Sequence, residues 1–283
     1  MKIIKPDKIV LELKDAVIDP NIHLNPILGI IISERATLNE KYYVERICKI
    51  CENFNVKVVV KEAKNIVQAS QFLNGFKRDP YMCGILNVSN FGNGNQNLND
   101  MIPTRLDINC YSSATNGQFV RSLEPTSYRL GPCASVAAYK VLEYEEISLE
   151  NKKIAILGHS VQVGRPLAEM MYGKNATVTV YPSISENINL SEYDIVLSSM
   201  FDQGQCLTPD LWKDGLEKTS YIIDIGTNTN ENGETLGNLL PEDFASYNVS
   251  IAPLVGCIDQ LTLIILLAKL FKSAAQINGV FYE

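Results

Sequence analysis

One stretch of the chain, IAILGHSVQVGRPLAEMM, predicts a strand, a glycine turn and a helix in immediate succession. The strand ends at Gly158, and Gly164 precedes the helix. Glycine at both positions lets backbone N–H groups approach a phosphate without interference from a Cβ atom, and the helix N-terminus adds the positive end of its dipole. The stretch therefore predicts an α/β domain that carries an anion-binding turn.

Strand-like and helical patterns alternate along the rest of the chain. Short runs rich in Ile and Val predict strands at 27–33, 56–60, 83–88, 153–158, 176–181, 194–198, 220–225 and 249–252. Helical patterns cover 38–54, 63–76, 133–144 and 259–276, and the Asn- and Gly-rich segment 89–101 predicts a loop. Because strands separated by helices need crossover connections, the fold class is α/β with parallel sheets. We expect two α/β lobes, with domains at 1–144 and 145–255 and a C-terminal segment, 256–283, whose helix returns to the first lobe.

The amino-acid composition limits the binding partners and the cellular location that we expect for this protein. The net charge of −7 comes without a basic block, so neither nucleic acid nor a membrane surface is an expected partner. The apolar run LTLIILLAKLF, which contains Lys269, is too short to span a bilayer and predicts a buried helix. The 7 cysteines lack paired spacing and the N-terminus lacks an apolar signal segment, which favours a cytoplasmic location. Cys48 and Cys51 form a C-x-x-C on a helical pattern without further ligands nearby, so no metal site is expected.

The glycine turn resembles the signature of the bifunctional methylenetetrahydrofolate dehydrogenase/cyclohydrolase family, G-R-S-x-x-V-G-x-P followed by ATVT and a serine. Three further segments are similar to family motifs, namely GPCAS (131–135), YIIDIGTN (221–228) and APLVGCIDQLT (252–262). The resemblance extends over nearly the whole chain. It implies two lobes that flank a cleft, a C-terminal lobe of the Rossmann type, a nicotinamide cofactor, a tetrahydrofolate substrate and a homodimer.

The same resemblance assigns the residues that bind the cofactor. They are Gly158, His159, Ser160, Val163, Gly164, Arg165, Ser183, Gly226 and Thr262. His159 replaces the family's arginine, which can reach a 2′-phosphate, and Arg165 is a second candidate for that charge. The acidic residue that commonly binds the ribose 2′-OH is missing, because Pro182 and Ser183 follow the next predicted strand. Both NAD and NADP therefore stay open as cofactors.

On the folate side the family pattern is largely lost. Tyr43 matches the tyrosine that stacks on the substrate ring, and Tyr42 and Tyr111 are further candidates to line a ring-binding site. Ile47, Val88 and Asn109 stand where the family has a catalytic lysine, a glutamine and a pterin-binding aspartate. An aliphatic side chain cannot transfer a proton, so the hydrolytic step is predicted to be lost. Hydride transfer depends chiefly on the positioning of the two reacting carbons, so it does not require these proton-handling side chains.

Three functions fit these residues. The first is an NAD(P)-dependent dehydrogenase of the methylenetetrahydrofolate type without cyclohydrolase activity. The second is a dehydrogenase that acts on a different small substrate, such as an imine or an amino-acid-derived compound. The third is a non-catalytic ligand-binding homologue. Binding of cofactor and folate together, of cofactor alone, or of neither would separate the three.

Overall fold

The computed structural model describes residues 1–122, 131–182, 188–201, 204–230 and 234–279, and its sheets belong to two α/β units. The unit that we call the six-stranded unit contains Met1–Val10 and Ala134–Thr262. The three-stranded unit contains Leu11–Ser122, the residues that lead into Cys133, and the chain from Leu263 onward. The first residues therefore lie with the later sheet, whereas the predicted boundary placed them in the domain 1–144.

The elements follow one another in the expected alternation. The strands are β1 (Lys2–Ile3), β2 (Ile27–Ser33), β3 (Lys57–Ala63), β4 (Met82–Asn87), β5 (Lys153–Leu157), β6 (Thr177–Tyr181), β7 (Ile195–Ser198), β8 (Tyr221–Asp224), β9 (Asn228–Thr229), β10 (Thr235–Leu236) and β11 (Ser250–Ala252). The helices are α1 (Asp7–Leu13), α2 (Leu38–Asn53), α3 (Ile66–Arg78), α4 (Asn95–Asp100), α5 (Ser113–Arg121), α6 (Cys133–Tyr144), α7 (Gly164–Tyr172) and α8 (Asp259–Ile277). Short helical turns lie at Lys14–Ile18, Asp19–Leu24, Pro209–Leu211, Pro241–Phe244 and Leu254–Ile258.

The larger sheet has the strand order β1-β11-β8-β7-β5-β6, and all its pairs are parallel. Its central strands are apolar on both faces, as expected for a parallel sheet covered by helices. After β5 the chain adds β6 on one side and β7 on the other. This reversal creates a topological switch point at the carboxyl ends of β5 and β7, where open α/β sheets bind their ligands.

The smaller sheet has the order β3-β2-β4 and is also parallel. Its central strand β2 is the Ile-rich run ILGIIIS, which is buried along most of its length. Helix α2 begins at a capping box, in which Thr37 accepts the N–H of Glu40 and the Glu40 carboxylate accepts the N–H of Thr37. This cap fixes the start of the helix that carries Tyr43.

The structure confirms the α/β class and the parallel sheets, and it differs from the predicted loop at 89–101. That segment contains α4, which begins directly after Gly94. Gly94 has a φ of 94°, which glycine adopts readily, and the Asn87 side chain donates hydrogen bonds to Asn95 and Asn99 at 3.1 and 2.9 Å. Side-chain hydrogen bonds from β4 thus stabilise a short helix in a sequence rich in loop-forming residues.

The C-terminal helix α8 follows its predicted bounds closely. Together with the turn before it, Leu254–Ile277, it is long and apolar enough to cross a membrane by length and composition alone. Inside the protein, however, 72% of that apolar window is buried. Burial of this extent is what a core helix shows.

Candidate functional site

Two glycines close the turn between β5 and α7. Gly158 has a φ of 100°, and a Cβ built there would lie 2.6 Å from the carbonyl oxygen of Ser199 at the end of β7. A Cβ at Gly164 would lie 2.1 Å from the carbonyl oxygen of Gly158. Neither position can carry a side chain without moving the backbone. The turn is therefore tightly packed at the topological switch point.

Ser160 satisfies the first N–H groups of α7. Its Oγ accepts hydrogen bonds from Val163 N at 3.1 Å and Gly164 N at 3.4 Å, and its carbonyl accepts one from Arg165 N at 3.0 Å. In the described part of the chain, the N–H groups of residues 159–162 have no hydrogen-bond partner. The donors left for an anion thus belong to the loop and not to the first turn of the helix.

Two basic side chains border this loop. His159 and Arg165 are both exposed, and Arg165 Nε donates to the carbonyl of His159 at 3.2 Å. Val163, which the sequence also assigned to the cofactor, is buried. Its carbonyl accepts a hydrogen bond from the Ser135 hydroxyl of α6 at 3.2 Å.

Ser183, also assigned to the cofactor, lies outside the described residues.

A buried polar network that the sequence did not indicate lies at the carboxyl ends of β7 and β8. Asn238 Oδ1 accepts hydrogen bonds from Ser198 Oγ at 2.8 Å and Met200 N at 3.1 Å. Asp224 Oδ2 accepts one from Asn238 N at 2.7 Å. A Cβ at Gly226 would lie 1.7 Å from Asn238 Oδ1, so this glycine makes room for the network. No local spacing signals it, because Ser198 and Asn238 lie 40 residues apart.

Among the described residues, no cation contributes to the environment of Asp224 in this network. Burial raises the pKa of its carboxyl to about 7, although backbone hydrogen bonds from Leu239, Asn238 and Gly226 act in the opposite direction. The carboxyl therefore titrates near neutral pH while it holds two loops at the ligand-binding edge of the sheet.

Asp259 organises the backbone at the start of α8. Its Oδ1 accepts hydrogen bonds from Gly256 N at 3.0 Å and Gln260 N at 2.7 Å. The Thr262 hydroxyl donates to the Ile258 carbonyl at 2.7 Å, which leaves its oxygen free only as an acceptor. Asp259 thus ties the preceding turn to the start of the helix that carries Thr262.

The three-stranded unit contains a cluster of polar side chains around the first residue of α6. We call it the donor cluster, and its members are Tyr43, Asn109, Tyr111, Cys133 and Lys269. Asn109 Oδ1 accepts the Cys133 N–H at 2.9 Å. Lys269 Nζ donates to the Ile108 carbonyl at 3.0 Å and to the Gly131 carbonyl. The sequence singled out Tyr43, Asn109 and Tyr111 but missed Lys269 as a polar group, because it lies within an apolar helical run.

Burial and mutual proximity affect the titrating groups of the donor cluster. Burial raises the pKa of Tyr43, and the nearby Cys133 raises it further. Burial also raises the pKa of Tyr111, with additional contributions from Tyr43 and Cys133. For the Cys133 thiol, burial raises the pKa while Lys269 lowers it. These effects connect Tyr43, Tyr111 and Lys269 each to the Cys133 thiol.

The two positions assigned to lost catalytic residues hold only hydrocarbon. Ile47 lies one helical turn after Tyr43 on α2 and is fully buried. Val88 follows β4, and its N–H donates to the Ile31 carbonyl at 2.9 Å. Neither side chain can donate or accept a proton.

Other sequence expectations concern packing and metals. Trp212 is buried, donates from Nε1 to Thr219 Oγ1 at 2.8 Å and contacts Phe244 edge-to-face, so it packs in the core of the six-stranded unit. Cys51 is fully buried on α2. Across the described residues no group of three His, Cys, Asp or Glu side chains is arranged to hold a metal ion.

Comparison with known proteins places this geometry in a family. The model of the tetrahydrofolate dehydrogenase/cyclohydrolase NAD(P)-binding domain matches residues 132–278. The bifunctional protein FolD of Streptococcus agalactiae is 32% identical over 145 residues, which cover 50% of this chain and 49% of that protein. FolD of Staphylococcus epidermidis is 29% identical over 138 residues, covering 48% of this chain and 46% of that protein. The chain thus spans about half the length of the curated relatives that it matches.

Solved structures share the fold over a longer span. The bifunctional FolD enzyme of Campylobacter jejuni has a TM-score of 0.80 at 22% identity, covering 98% of this chain and 99% of that chain. The NAD-dependent 5,10-methylenetetrahydrofolate dehydrogenase of Saccharomyces cerevisiae has a TM-score of 0.74 at 16% identity, with 98% of each chain covered. At such identities these likenesses show the fold alone. The domain match covers more than half of the sequence, and the chain therefore belongs to the tetrahydrofolate dehydrogenase/cyclohydrolase family.

Proposed function

We propose that this protein is an NAD(P)-dependent dehydrogenase of the 5,10-methylenetetrahydrofolate type that has lost cyclohydrolase activity. The observation that carries the proposal is the turn between Gly158 and Gly164. It lies at the topological switch point, admits no Cβ at either glycine and offers the N–H groups of residues 159–162 without internal partners among the described residues. Consecutive free N–H groups of this kind suit a pyrophosphate.

The residues of the turn fit a dinucleotide in distinct roles. The loop N–H groups would bind the pyrophosphate, and the Ser160 hydroxyl can add its proton because its oxygen already accepts from the backbone. Arg165 and His159 are the side chains that would meet a 2′-phosphate, which makes NADP as well as NAD acceptable. When bound, the nicotinamide supplies the hydride acceptor or donor, and the protein contributes positioning.

The proposed loss of hydrolysis follows from the three-stranded unit. Hydrolysis of a methenyl intermediate needs a group that handles a proton and polarises water. Ile47 and Val88 provide neither, and Ile47 is sealed from solvent. Hydride transfer makes no such demand, since correct placement of the two reacting carbons supplies much of its rate.

Two substrates are candidates. Tetrahydrofolate is the first, because of the family membership and because Tyr43 is retained. A different small substrate, such as an imine or an amino-acid-derived compound, is favoured by Asn109. Its only acceptor atom already binds the Cys133 N–H, so it offers donors where the family's carboxylate offers acceptors.

Calorimetric titration of NAD, NADP and tetrahydrofolate into the purified protein tests the proposal. We expect cofactor binding for at least one dinucleotide, together with cofactor reduction when the substrate is added. Cofactor and folate binding together would support the first substrate, and cofactor binding alone would support the second. Failure of both dinucleotides to bind would refute the dehydrogenase and leave a ligand-binding homologue.

Location and assembly are further parts of the proposal. The seven cysteines are all free, in keeping with a reducing cytoplasm. The net charge of −7 argues against nucleic-acid and anionic membrane partners. We propose a cytoplasmic homodimer, as expected from the family resemblance. Light scattering coupled to size exclusion would measure the mass directly, and a monomer at working concentration would contradict the dimer.

A further inference from the structure

Lys269 brings a positive charge into the interior of the three-stranded unit. The residue is 6% exposed, and its Nζ donates to the carbonyls of Ile108 and Gly131. Lys269 also lowers the pKa of the Cys133 thiol. No carboxylate of the described residues lies within 4.0 Å of this Nζ. Burying an ammonium group beside neutral partners alone is costly, and an anion nearby would offset much of that cost.

Asn109 adds an unused donor at the same place. The residue is 6% exposed, and its Oδ1 is occupied by the Cys133 N–H. Among the described residues its Nδ2 has no hydrogen-bond partner. The Nδ2 is also not one of the fully sealed unpaired atoms of the described side chains, so it keeps some contact with solvent. An amide NH₂ in this position can serve only an acceptor group.

The two tyrosines of the cluster extend this pattern. Neither Tyr43 nor Tyr111 has a hydrogen bond at its hydroxyl within the described part of the chain, and both rings are only half-buried. The neighbouring carboxylate, Asp107, is committed to the N–H groups of Tyr111 and Ser112 at 3.0 and 2.7 Å. The available groups are therefore hydroxyl and amide donors beside two aromatic faces, with a buried positive charge behind them.

We propose that the donor cluster binds the carboxylate of a small planar organic ligand, with Asn109 and the two tyrosine hydroxyls as donors and Lys269 as the compensating charge. Lys269 acts chiefly through its charge, because two of its three N–H groups already bind backbone carbonyls. The inference deepens the proposed dehydrogenase function and rests on it only in taking the ligand to be the substrate. A pterin ring edge, which presents N–H donors, would meet donors here.

Matched probes test the charge requirement. Benzoate and benzamide have the same ring and nearly the same shape but differ in charge, and each can be titrated into the purified protein by ligand-observed NMR. Charge-assisted hydrogen bonds are stronger than neutral ones, so we expect benzoate to bind about tenfold to a hundredfold more tightly. The variant Lys269→Met should remove this preference. Lys64→Met, at an exposed lysine of the same unit, should leave it unchanged.

Two further probes identify the source of the carboxylate. p-Aminobenzoylglutamate binding more tightly than benzoate would support a folate whose glutamyl tail supplies the anion. Benzoate binding as tightly or more tightly would support an unrelated small acid. Tetrahydropterin, which lacks a carboxylate, should bind more weakly than either. Tighter binding of tetrahydropterin would overturn the proposal.

Other results would also overturn it. Equal affinities for benzoate and benzamide would do so, as would a preference that survives in Lys269→Met. If that variant does not fold, Tyr111→Phe removes one hydroxyl and keeps the ring, and it should weaken benzoate severalfold while benzamide changes less. NAD and NADP titrations of the same samples report on the six-stranded unit. Loss of dinucleotide binding with intact benzoate preference would refute the proposed dehydrogenase and leave the carboxylate site standing.

Discussion

The Cβ position of Gly164 lies 2.1 Å from the carbonyl oxygen of Gly158, a separation that no side chain can occupy. We therefore expect Gly164→Ala to displace the turn, lower the melting temperature and weaken dinucleotide binding at least tenfold. Affinity would fall because the added Cβ clashes with the carbonyl of Gly158 and displaces the turn, and not because a side chain blocks the phosphate. Gly75→Ala is the matched control, because a Cβ there meets nothing within 4 Å and helix propensity favours alanine. Unchanged calorimetric affinity in a folded Gly164→Ala protein would contradict the assignment.

Hydrolysis of methenyltetrahydrofolate should proceed no faster with this protein than without it. Ile47 and Val88 occupy the positions where proton-handling groups are expected, and Ile47 is fully buried. Loss of the absorbance of the methenyl compound measures the rate. The protein should be purified from a host that lacks its own cyclohydrolase. A protein-dependent rate in that preparation would mean that another side chain has taken over the proton transfer.

Asn109→Ala should destabilise the three-stranded unit by about 1–2 kcal/mol, because the N–H of Cys133 at the start of α6 would lose its acceptor. Asn109→Asp retains an acceptor oxygen and should recover most of that loss. Amide hydrogen exchange at Cys133 reports the change locally, with faster exchange expected only in the alanine variant. Equal exchange in both variants would show that the side chain does not cap the helix.

Asp224 should make the stability of the six-stranded unit depend on pH. Its pKa is raised by burial from 3.8 to about 7, so the unfolded chain loses this proton first as pH rises. The free energy of unfolding should therefore fall between about pH 4 and pH 7, by a total of roughly 1–4 kcal/mol, and level off above that range.

Denaturant unfolding followed by the fluorescence of Trp212, the single tryptophan, measures this dependence within the same unit. Asp224→Asn should have lower stability but a smaller slope across the range, because its amide does not ionise. Asp210→Asn, at an exposed position, should keep the wild-type slope. An unchanged slope in Asp224→Asn would assign the pH dependence to other groups.

The sequence was most informative where structure is local. Runs of Ile and Val gave strands such as β2 and β5 because a parallel sheet buries both faces, and the glycine turn was visible because its backbone excludes side chains. The pattern failed at α4, because hydrogen bonds from one side chain of β4, Asn87, stabilise a helix that lacks strong helix-forming residues. Strands β9 and β10 have two residues each, which is too short to show an alternation of apolar and polar residues in the sequence.

The candidate site was harder to predict from the sequence, because much of it is formed by residues that lie far apart along the chain. Asn238 and Ser198 form a hydrogen bond only because the fold brings β7 next to the loop after β10, and no local pattern predicts that contact. Lys269 resembles one polar interruption in an apolar helix until Ile108 and Gly131 are placed beside it. The resemblance to a family supplied positions such as Ile47 and Asn109, and the structure then supplied the hydrogen-bond partner that limits what Asn109 can bind.

The pairing of β1 with β11 has a consequence for how the chain acquires its structure during synthesis. Lys2 lies opposite Ser250 and Ile3 opposite Ile251, so β1 cannot pair with its neighbour until the residues of β11 have been made. The three-stranded unit likewise lacks its final helical segment until the residues after Leu263 are made. Contacts of such long range close large loops and slow folding. Both units are therefore completed late. A nascent chain that is cut short before β11 would contain neither unit in finished form.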